Sequence, residues 1–223
     1  MAKLTYREIT ELRKICPGGI EQHVNLAKVS RWRIGGIADL FIRPSSTDEV
    51  SKLIKWFGSR GIQPVVIGLT TNLLFDDNGL RIPCIQIGPR MSNVEICKNE
   101  VIAQAGVWVP TLARKIMNAD LGGAEHICGI PGALGGLICM NGGSQRKSIS
   151  SNVVSVESID MSGNRSIRDM KECGFGYRRS IFQSRNEVIT QVKLRFNSRD
   201  RDEIRNEMLV ILKDRRHKFP LSH

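Results

Sequence analysis

Glycine gathers at four places in this sequence: at residues 35–36, at residue 68, at 122–123 and in a longer run over 129–143. A residue without Cβ adopts positive φ freely and lets an anion approach several backbone N–H groups. Glycine clusters that follow strands therefore suggest a cradle for a pyrophosphate. Plain tight turns explain the same glycines, and spacing alone does not choose between the two. Neither the G-x-G-x-x-G pattern nor the P-loop pattern occurs, so a Rossmann or Walker site is not supported.

A basic segment is the second place where chemistry could occur. Six basic and two acidic side chains lie from Arg165 to Arg185, and this excess would attract a diphosphate. Arg178 and Arg179 stand side by side within it. Doubled arginines on a loop are also typical of a solvated surface, and we interpret Arg179 in that way.

Helices and strands must position these residues. Helical periodicity predicts helices over about residues 47–60, 110–120 and 201–216. The first follows Ser46, and Glu49 is placed to complete a capping box with it. Short β-rich runs lie between the helices, at residues 40–43, 64–67, 84–87, 101–105, 153–161 and 187–196. The last of these runs alternates, which predicts a strand with one buried side that carries Val188, Thr190, Val192, Leu194 and Phe196.

This mixture of elements predicts an α+β chain of two lobes that meet near residues 80–83. The 223 residues are enough to bury a real core, and the net charge of +11 would attract nucleic acid, an anionic membrane or a phosphorylated small molecule. Nucleic acid is the minority interpretation, because aromatic residues are only 5% and no stacking motif occurs. The apolar runs are too short to cross a membrane and the N-terminus does not resemble a secretion signal, so we expect a cytoplasmic protein.

Three of these glycine clusters, at residues 35–36, 68 and 129–143, lie in motifs that appear in a familiar order together with a fourth motif further along the chain. The four motifs are SRWRIGGIAD at residues 30–39, VIGLTTNLL at 66–74, GIPGALGG with MNGG at 129–143, and FGYRRSIF at 175–182. Together they resemble the bacterial UDP-N-acetylenolpyruvoylglucosamine reductases, from about Asn25 to Leu221. Four linked motifs in register make a more specific match than any single one of them.

The resemblance implies an FAD-binding fold of the PCMH type, shared with vanillyl-alcohol oxidase, with FAD held between two α+β subdomains. These would cover residues 20–80 and 81–223, after an N-terminal helical extension over residues 1–19. The FAD pyrophosphate would lie on the 68–72 turn and the 129–136 loop. The implied cofactor-binding residues are Arg33, Ile67, Gly68, Leu69, Thr70, Thr71, Asn72, Leu73, Cys128, Gly129, Ile130, Gly132, Gly135, Gly136 and Asn141.

Two departures from the family stand out. Further glycines are usual where this chain has Leu69 and Thr70, so the turn must bring a Cβ near the phosphates. The family's chain also continues, beyond the stretch matched here to residues 215–221, into a domain with a proton-donating serine and a glutamate. This sequence ends at His223, and we expect that substrate-binding domain to be absent. Of the implied catalytic residues, Tyr177 and Arg178 remain, and Arg178 would stabilise negative charge beside the flavin.

Cys128 and His126 lie just before the GIPG loop, and each has two interpretations. In some related oxidases a cysteine of the corresponding loop bonds covalently to the flavin, but any small residue would also fit there. His126 could be a base at the flavin edge or a core histidine, and we favour the core. A His-x-Cys pair is too small a ligand set for a metal. The six cysteines include no C-x-x-C pair, which predicts reduced and mostly buried thiols.

Two function classes stay open. The first is an FAD-dependent oxidoreductase, with NADPH or NADH as a possible reductant, that resembles these reductases but acts on another substrate, a nucleotide sugar or another anionic metabolite. Without the domain that donates the proton, we expect it not to turn over the family's own enolpyruvyl substrate efficiently. The second is a flavin-binding module without its own turnover, completed by a partner protein or by self-association. Both need the same cradle, so the sequence does not decide between them.

Overall fold

A computed structural model of the chain describes residues 4–218. It contains seven α-helices: α1 Tyr6–Ile15, α2 Leu26–Val29, α3 Thr47–Gly58, α4 Val109–Asn118, α5 Leu134–Cys139, α6 Ile181–Ser184 and α7 Arg201–Lys218 within that range. The strands of the same range are β1 Ile20–Asn25, β2 Ile37–Ile42, β3 Val65–Ile67, β4 Cys84–Gln86, β5 Val94–Cys97, β6 Glu100–Gln104, β7 Leu121–Gly122, β8 Val153–Ile159, β9 Arg165–Asp169, β10 Val188–Arg195 and β11 Asn197–Ser198. The α+β class is confirmed.

Two sheets organise the chain. The first has the order β1-β2-β4-β3, in which β1 runs antiparallel to β2 and the pairs with β4 are parallel. The second has the order β5-β6-β10-β8-β9 and is antiparallel throughout. Strand β4 lies beyond residue 80, yet it pairs with β2 and β3. The two sheets therefore divide between Gln86 and Val94, later in the chain than the sequence-based boundary.

Local sequence explains where the main helices begin. Thr5 and Glu8 form a reciprocal capping box at α1. At the start of α3 the Ser46 hydroxyl accepts a hydrogen bond from the backbone N–H of Glu49. The Glu49 carboxylate, however, accepts hydrogen bonds from the backbone N–H and the hydroxyl of Ser45. The predicted capping box is therefore only half formed, because the carboxylate caps one residue earlier.

One hydrophobic core joins the two sheets. It includes Phe57 of α3, Ile85 of β4, Val156 of β8 and Val192 of β10, all of them fully buried or nearly so. All five side chains on the predicted buried side are buried, but Ile189 on the opposite side is buried too, so the alternation predicted for β10 is confirmed only from Thr190 onward. The three helices predicted from periodicity are confirmed within two residues at each end. None of the helices in residues 4–218 combines the length and apolar character that crossing a bilayer requires.

Candidate functional site

A cleft of about 540 Å³ opens where β3 ends and faces the loop before α5. Residues 66–73 form one wall, and residues 130–133 with the following helix form the other. Val109 and Arg178 complete the lining. We call this space the glycine cleft. Its volume lies in the range of about 300–1,000 Å³ that is usual for small-molecule sites.

Unsatisfied backbone amides mark the first wall. No backbone N–H of residues 68–73 donates a hydrogen bond to another described residue. On the opposite wall the amides of Gly132 and Ala133 are also without an acceptor among residues 4–218. Backbone N–H groups are normally paired in folded proteins, so a group of unpaired donors around one cleft is available to an anionic ligand.

Thr70 gives this wall its shape. Its φ is +56°, in the left-handed region that a residue with a Cβ adopts at some cost. Its hydroxyl lies 2.8 Å from the Leu69 carbonyl oxygen and 3.2 Å from that of Val29, and it accepts the Arg31 amide at 3.4 Å. The Thr70 hydroxyl therefore braces the turn against the 29–31 segment instead of pointing a donor into the cleft.

The three glycines of the opposite loop have different surroundings. Gly132 has a φ of +142°, which disfavours any side chain. A Cβ on Gly135 would come within 3.1 Å of the Cβ of buried Ala105, and both residues also line the second cavity described below. A Cβ on Gly136 would meet nothing within 4 Å, and Gly136 lines the cleft. The open space over Gly136 is therefore the part of this wall that a side chain would fill.

A second cavity of about 540 Å³ adjoins the glycine cleft and shares residues 66–68, Ala133 and Gly136 with it. Its walls are mostly aliphatic, and its one acidic residue is Glu187. The Glu187 carboxylate is buried and forms an ion pair of 2.6 Å with Arg168. No uncompensated charge therefore lines this cavity.

A third cavity, of about 550 Å³, lies on the other side of Arg178, which lines both it and the glycine cleft. We call it the basic pocket. Its lining consists of Asn141, Gly143, Ser144, Arg146, Lys147, Ser148, Ser150, Phe175, Gly176, Tyr177 and Arg178. Asn141 holds its parts together: its side-chain amide donates to the Gly176 carbonyl oxygen at 3.0 Å and its oxygen accepts the Ser150 amide at 3.2 Å.

The structure gathers most of the predicted site residues around these cavities. The glycine cleft is lined by Ile67, Gly68, Leu69, Thr70, Thr71, Asn72, Leu73, Ile130, Gly132, Gly136 and Arg178. Gly135 lines the second cavity, and Asn141 and Tyr177 line the basic pocket. Arg33, Cys128 and Gly129 line none of the three. Their assignment to a cofactor site gains no support from these contacts, and the roles of the others stay predictions.

Cys128 lies under helix α7. Its thiol is buried and approaches the Met208 carbonyl oxygen at 3.8 Å. Burial raises the pKa of this thiol to about 11, so it is protonated at neutral pH and a poor nucleophile. All six cysteines are free thiols, and four are buried. This position and this pKa favour the interpretation of Cys128 as a small side chain that fits the loop, rather than one covalently bonded to a flavin.

His126 is buried in the core, and neither ring nitrogen has a hydrogen-bond partner among the described residues. Burial lowers the pKa of His126, and the nearby positive charge of Lys147 adds to the effect. The favoured interpretation of a core histidine agrees with this burial, although its unpaired nitrogens were not expected.

Several residues that line the glycine cleft were not among the site residues predicted from the sequence. Val109, Pro131, Ala133, Leu137, Cys139 and Met140 also face the glycine cleft. Pro131 and Ala133 lie inside the quoted GIPGALGG motif, so the motif itself contained the signal. Val109 begins α4, and nothing in its local pattern connects it with the cleft. Arg146 and Lys147 also carry no recognisable motif, although their charge was visible.

Comparison with known proteins gives the same assignment along most of the chain. The FAD binding domain family matches residues 38–166. UDP-N-acetylenolpyruvoylglucosamine reductase 1 of Corynebacterium glutamicum is 39% identical over 199 residues, which cover 88% of this chain and 59% of that protein. The corresponding reductase of Syntrophomonas wolfei is 31% identical over 218 residues, which cover 98% of this chain and 72% of that protein. The chain thus spans about three fifths to three quarters of the length of these relatives.

Comparison with solved structures supports the same family. The fold is similar to that of the UDP-N-acetylenolpyruvylglucosamine reductase of Thermus caldophilus, with a TM-score of 0.76 and 25% identity over 88% of this chain and 69% of that one. An alkyldihydroxyacetonephosphate synthase shares the fold at a TM-score of 0.65, with 15% identity over 89% of this chain and 41% of that one. The predicted FAD-binding fold of the PCMH type is confirmed, and the chain belongs to the UDP-N-acetylenolpyruvoylglucosamine reductase family.

Proposed function

We propose that this chain binds FAD in the glycine cleft and is a flavin-dependent oxidoreductase. The observation that carries the proposal is the run of unpaired amides at residues 68–73, which faces the glycine wall at Gly132 and Gly136. Such an arrangement suits a diphosphate, because several N–H donors can bind it without charged side chains. Among residues 4–218, Arg178 is the only charged residue in the cleft's lining.

The residues present fit FAD in three respects. The unpaired amides of residues 68–73, with those of Gly132 and Ala133, would hold the diphosphate. The open space over Gly136 would admit the cofactor close to the loop, since a Cβ there would occupy it. The adjoining aliphatic cavity offers apolar walls to the rings. When bound, FAD supplies hydride chemistry between a reductant and a substrate.

Arg178 is the residue we assign to the substrate side. Its side chain is exposed, and its guanidinium makes no hydrogen bond or ion pair with residues 4–218. A free guanidinium at the junction of the cleft and the basic pocket would bind an anionic substrate and stabilise negative charge that develops beside the cofactor. Tyr177, its neighbour, is 96% exposed and lines the basic pocket but not the cleft.

The names of the relatives suggest the substrate. A UDP-N-acetylenolpyruvoyl sugar is the candidate substrate for this chain, with NADPH as the candidate reductant. Both are anionic and would be attracted to a chain of net charge +11. The relatives perform their reaction with longer chains, so turnover by these 223 residues is part of the proposal.

Anaerobic titration of the FAD-loaded protein tests the function. With NADPH we expect the visible flavin absorbance to bleach within seconds to minutes. Added UDP-N-acetylenolpyruvoylglucosamine should restore the absorbance only slowly, because the serine that donates the proton in the family lies outside the motifs matched here. NADH serves as the matched control that lacks one phosphate. Bound flavin that stays oxidised with both nucleotides would contradict the reductase and favour the second candidate.

The second candidate is a flavin-binding module completed by a partner or by a second copy of the chain. One observation favours it: Tyr177 and Arg178 both face outward, and no described residue covers them. Sedimentation of the FAD-loaded protein, alone and with UDP-N-acetylglucosamine, would reveal self-association as an increase in mass with concentration.

A further inference from the structure

The basic pocket has an unusual balance of charge. Arg146, Lys147 and Arg178 line it, and no acidic residue does. None of the three cations forms an ion pair within residues 4–218, and no hydrogen bond of their side chains exists there either. Some other basic residues of the described chain are paired, as are Arg168 with Glu187 and Lys193 with Glu100. The pocket therefore keeps three uncompensated charges close together.

Backbone conformation adds an independent observation. Gln145 and Arg146 are consecutive residues with φ of +54° and +60°, and neither is glycine. Asn141 and Arg178, at the edge of the same pocket, also have positive φ, at +41° and +53°. Non-glycine residues in this region cost free energy, and they concentrate at functional sites.

The surrounding contacts enforce this strained loop. The Lys147 amide donates to the Ser144 carbonyl oxygen, and the Ile149 amide donates to that of Gly142. A Cβ on Gly143 would overlap the Lys147 carbonyl oxygen, so the loop folds tightly onto its own base. The Ser144 hydroxyl donates to the His126 carbonyl oxygen beneath. The loop that carries Arg146 and Lys147 is thus anchored at several points before any ligand arrives.

We propose that the basic pocket binds a phosphoryl group of the second ligand, the molecule that meets the flavin, with Arg146 and Lys147 as its specificity-determining residues. This proposal rests on the proposed function for the identity of that second ligand. Three cations are more than a single carboxylate needs. A terminal phosphoryl group offers them up to two charges and three free oxygens, and the diphosphate of a nucleotide sugar offers two charges and four free oxygens. The hydroxyls of Ser148 and Ser150 share a hydrogen bond of 2.9 Å on the same lining, which leaves one of their protons for a ligand oxygen.

Position connects this pocket with the chemistry. Arg178 lines both the basic pocket and the glycine cleft, and residues 140–143 alternate between the two linings. A ligand whose phosphoryl group sits by Arg146 and Lys147 would extend past Arg178 toward the cleft. The phosphoryl group has two candidate sources, the 2′-phosphate of NADPH and the diphosphate of a nucleotide sugar.

Calorimetric titration of the FAD-loaded protein with inorganic diphosphate tests the proposal. The variant R146Q/K147Q removes two charges from the pocket, and the matched control R179Q/R185Q removes two from exposed arginines of the 179–185 segment, outside all three cavities. We expect the Kd to rise at least about ten-fold in R146Q/K147Q, as for lost charge-assisted hydrogen bonds, and less than about two-fold in the control. Equal effects of the two variants, or a wild type that does not bind diphosphate, would overturn the proposal.

Both variants leave the 68–73 cradle unchanged, so the two proposals fail separately. A chain that binds no FAD contradicts the proposed function. The same titration of the cofactor-free protein then decides this proposal, by the ratio of the two variants' Kd values for diphosphate. NADP⁺, NAD⁺ and UDP-N-acetylglucosamine then identify the source. A loss of the preference for NADP⁺ over NAD⁺ in R146Q/K147Q assigns the phosphoryl group to the reductant. A weaker Kd for UDP-N-acetylglucosamine assigns it to the substrate.

Discussion

The glycine cleft and the basic pocket lie side by side and offer donors to anions in opposite ways. The cleft presents backbone amides between glycine and aliphatic walls. In the adjoining cavity the Glu187 carboxylate is neutralised by Arg168. The basic pocket presents three unpaired side-chain cations. Fixed amides suit a ligand that remains bound, because they need no reordering and little charge. Charged side chains suit a ligand that arrives and leaves, because they attract it from a distance.

Arg178 belongs to both regions, and its removal gives the largest expected effect of the side-chain variants. We expect Arg178→Ala to leave FAD bound and to lower kcat/KM by about a hundred-fold, as for loss of a donor aimed at developing charge. Arg178→Lys should recover only part of the loss, since an ammonium does not replace a planar two-pronged donor. Steady-state kinetics of the FAD-loaded variants measures this.

Arg179→Ala is the control, because it removes the same charge from the neighbouring position, which lines none of the three cavities. An equal loss from both substitutions would mean that the difference between cleft and pocket is only one of local positive charge. That outcome would favour the flavin-binding module over the enzyme.

A smaller effect, on the free energy of unfolding, is expected from His126. This residue lies under the basic pocket near Lys147, so it tests the charge of that pocket separately from the glycine cleft. Burial lowers its pKa in the folded chain relative to the ordinary value of 6.5, so the unfolded chain binds the proton more readily. The free energy of unfolding should therefore fall as pH drops below about 6.5, until the lowered pKa is reached, by about 1.4 kcal/mol for each unit of lowering. Glu125 and Glu207 oppose the shift.

Denaturant unfolding of the wild type and of His126→Leu between pH 5 and pH 8 measures this contribution. We expect the variant to lose less stability than the wild type over the acid half of that range. Parallel pH curves for the two proteins would show that the buried ring contributes nothing to acid sensitivity.

Much of the fold can be predicted from this sequence because its helices are strongly amphipathic. The spacing of Val50, Leu53, Ile54 and Phe57 allows only one buried face, and all four side chains are buried in α3. Pairing across the sheets is different. Strand β4 is a three-residue run whose partners lie about 20 and 40 residues earlier in the chain, and local pattern contains no information on such contacts. The division between the sheets was therefore placed too early.

For the site, too, local features could be predicted from the sequence and contacts between distant segments could not. Glycine clusters indicate a cradle because backbone conformation is a local property, and most of the predicted residues do line the glycine cleft. Which way each residue faces depends on packing. Gly135 and Gly136 are neighbours of identical type, yet one faces Ala105 and the other the open cleft. Thr70 offers a hydroxyl in sequence but uses it on the 29–31 segment, and the basic pocket forms only when the 140–148 and 175–178 segments meet.

Calorimetric titration of FAD into the protein, with the neighbouring variants Gly136→Val and Gly135→Val, tests the central claim most directly. We predict that the wild type binds one FAD, and that Gly136→Val weakens binding by at least about ten-fold with an unchanged Tm, because its side chain enters open space in the cleft. Gly135→Val should instead lower the Tm, since its Cβ meets the core at Ala105. A wild type that binds no FAD, or a Gly136→Val protein that binds it as tightly as the wild type, would contradict the assignment of the glycine cleft to the flavin.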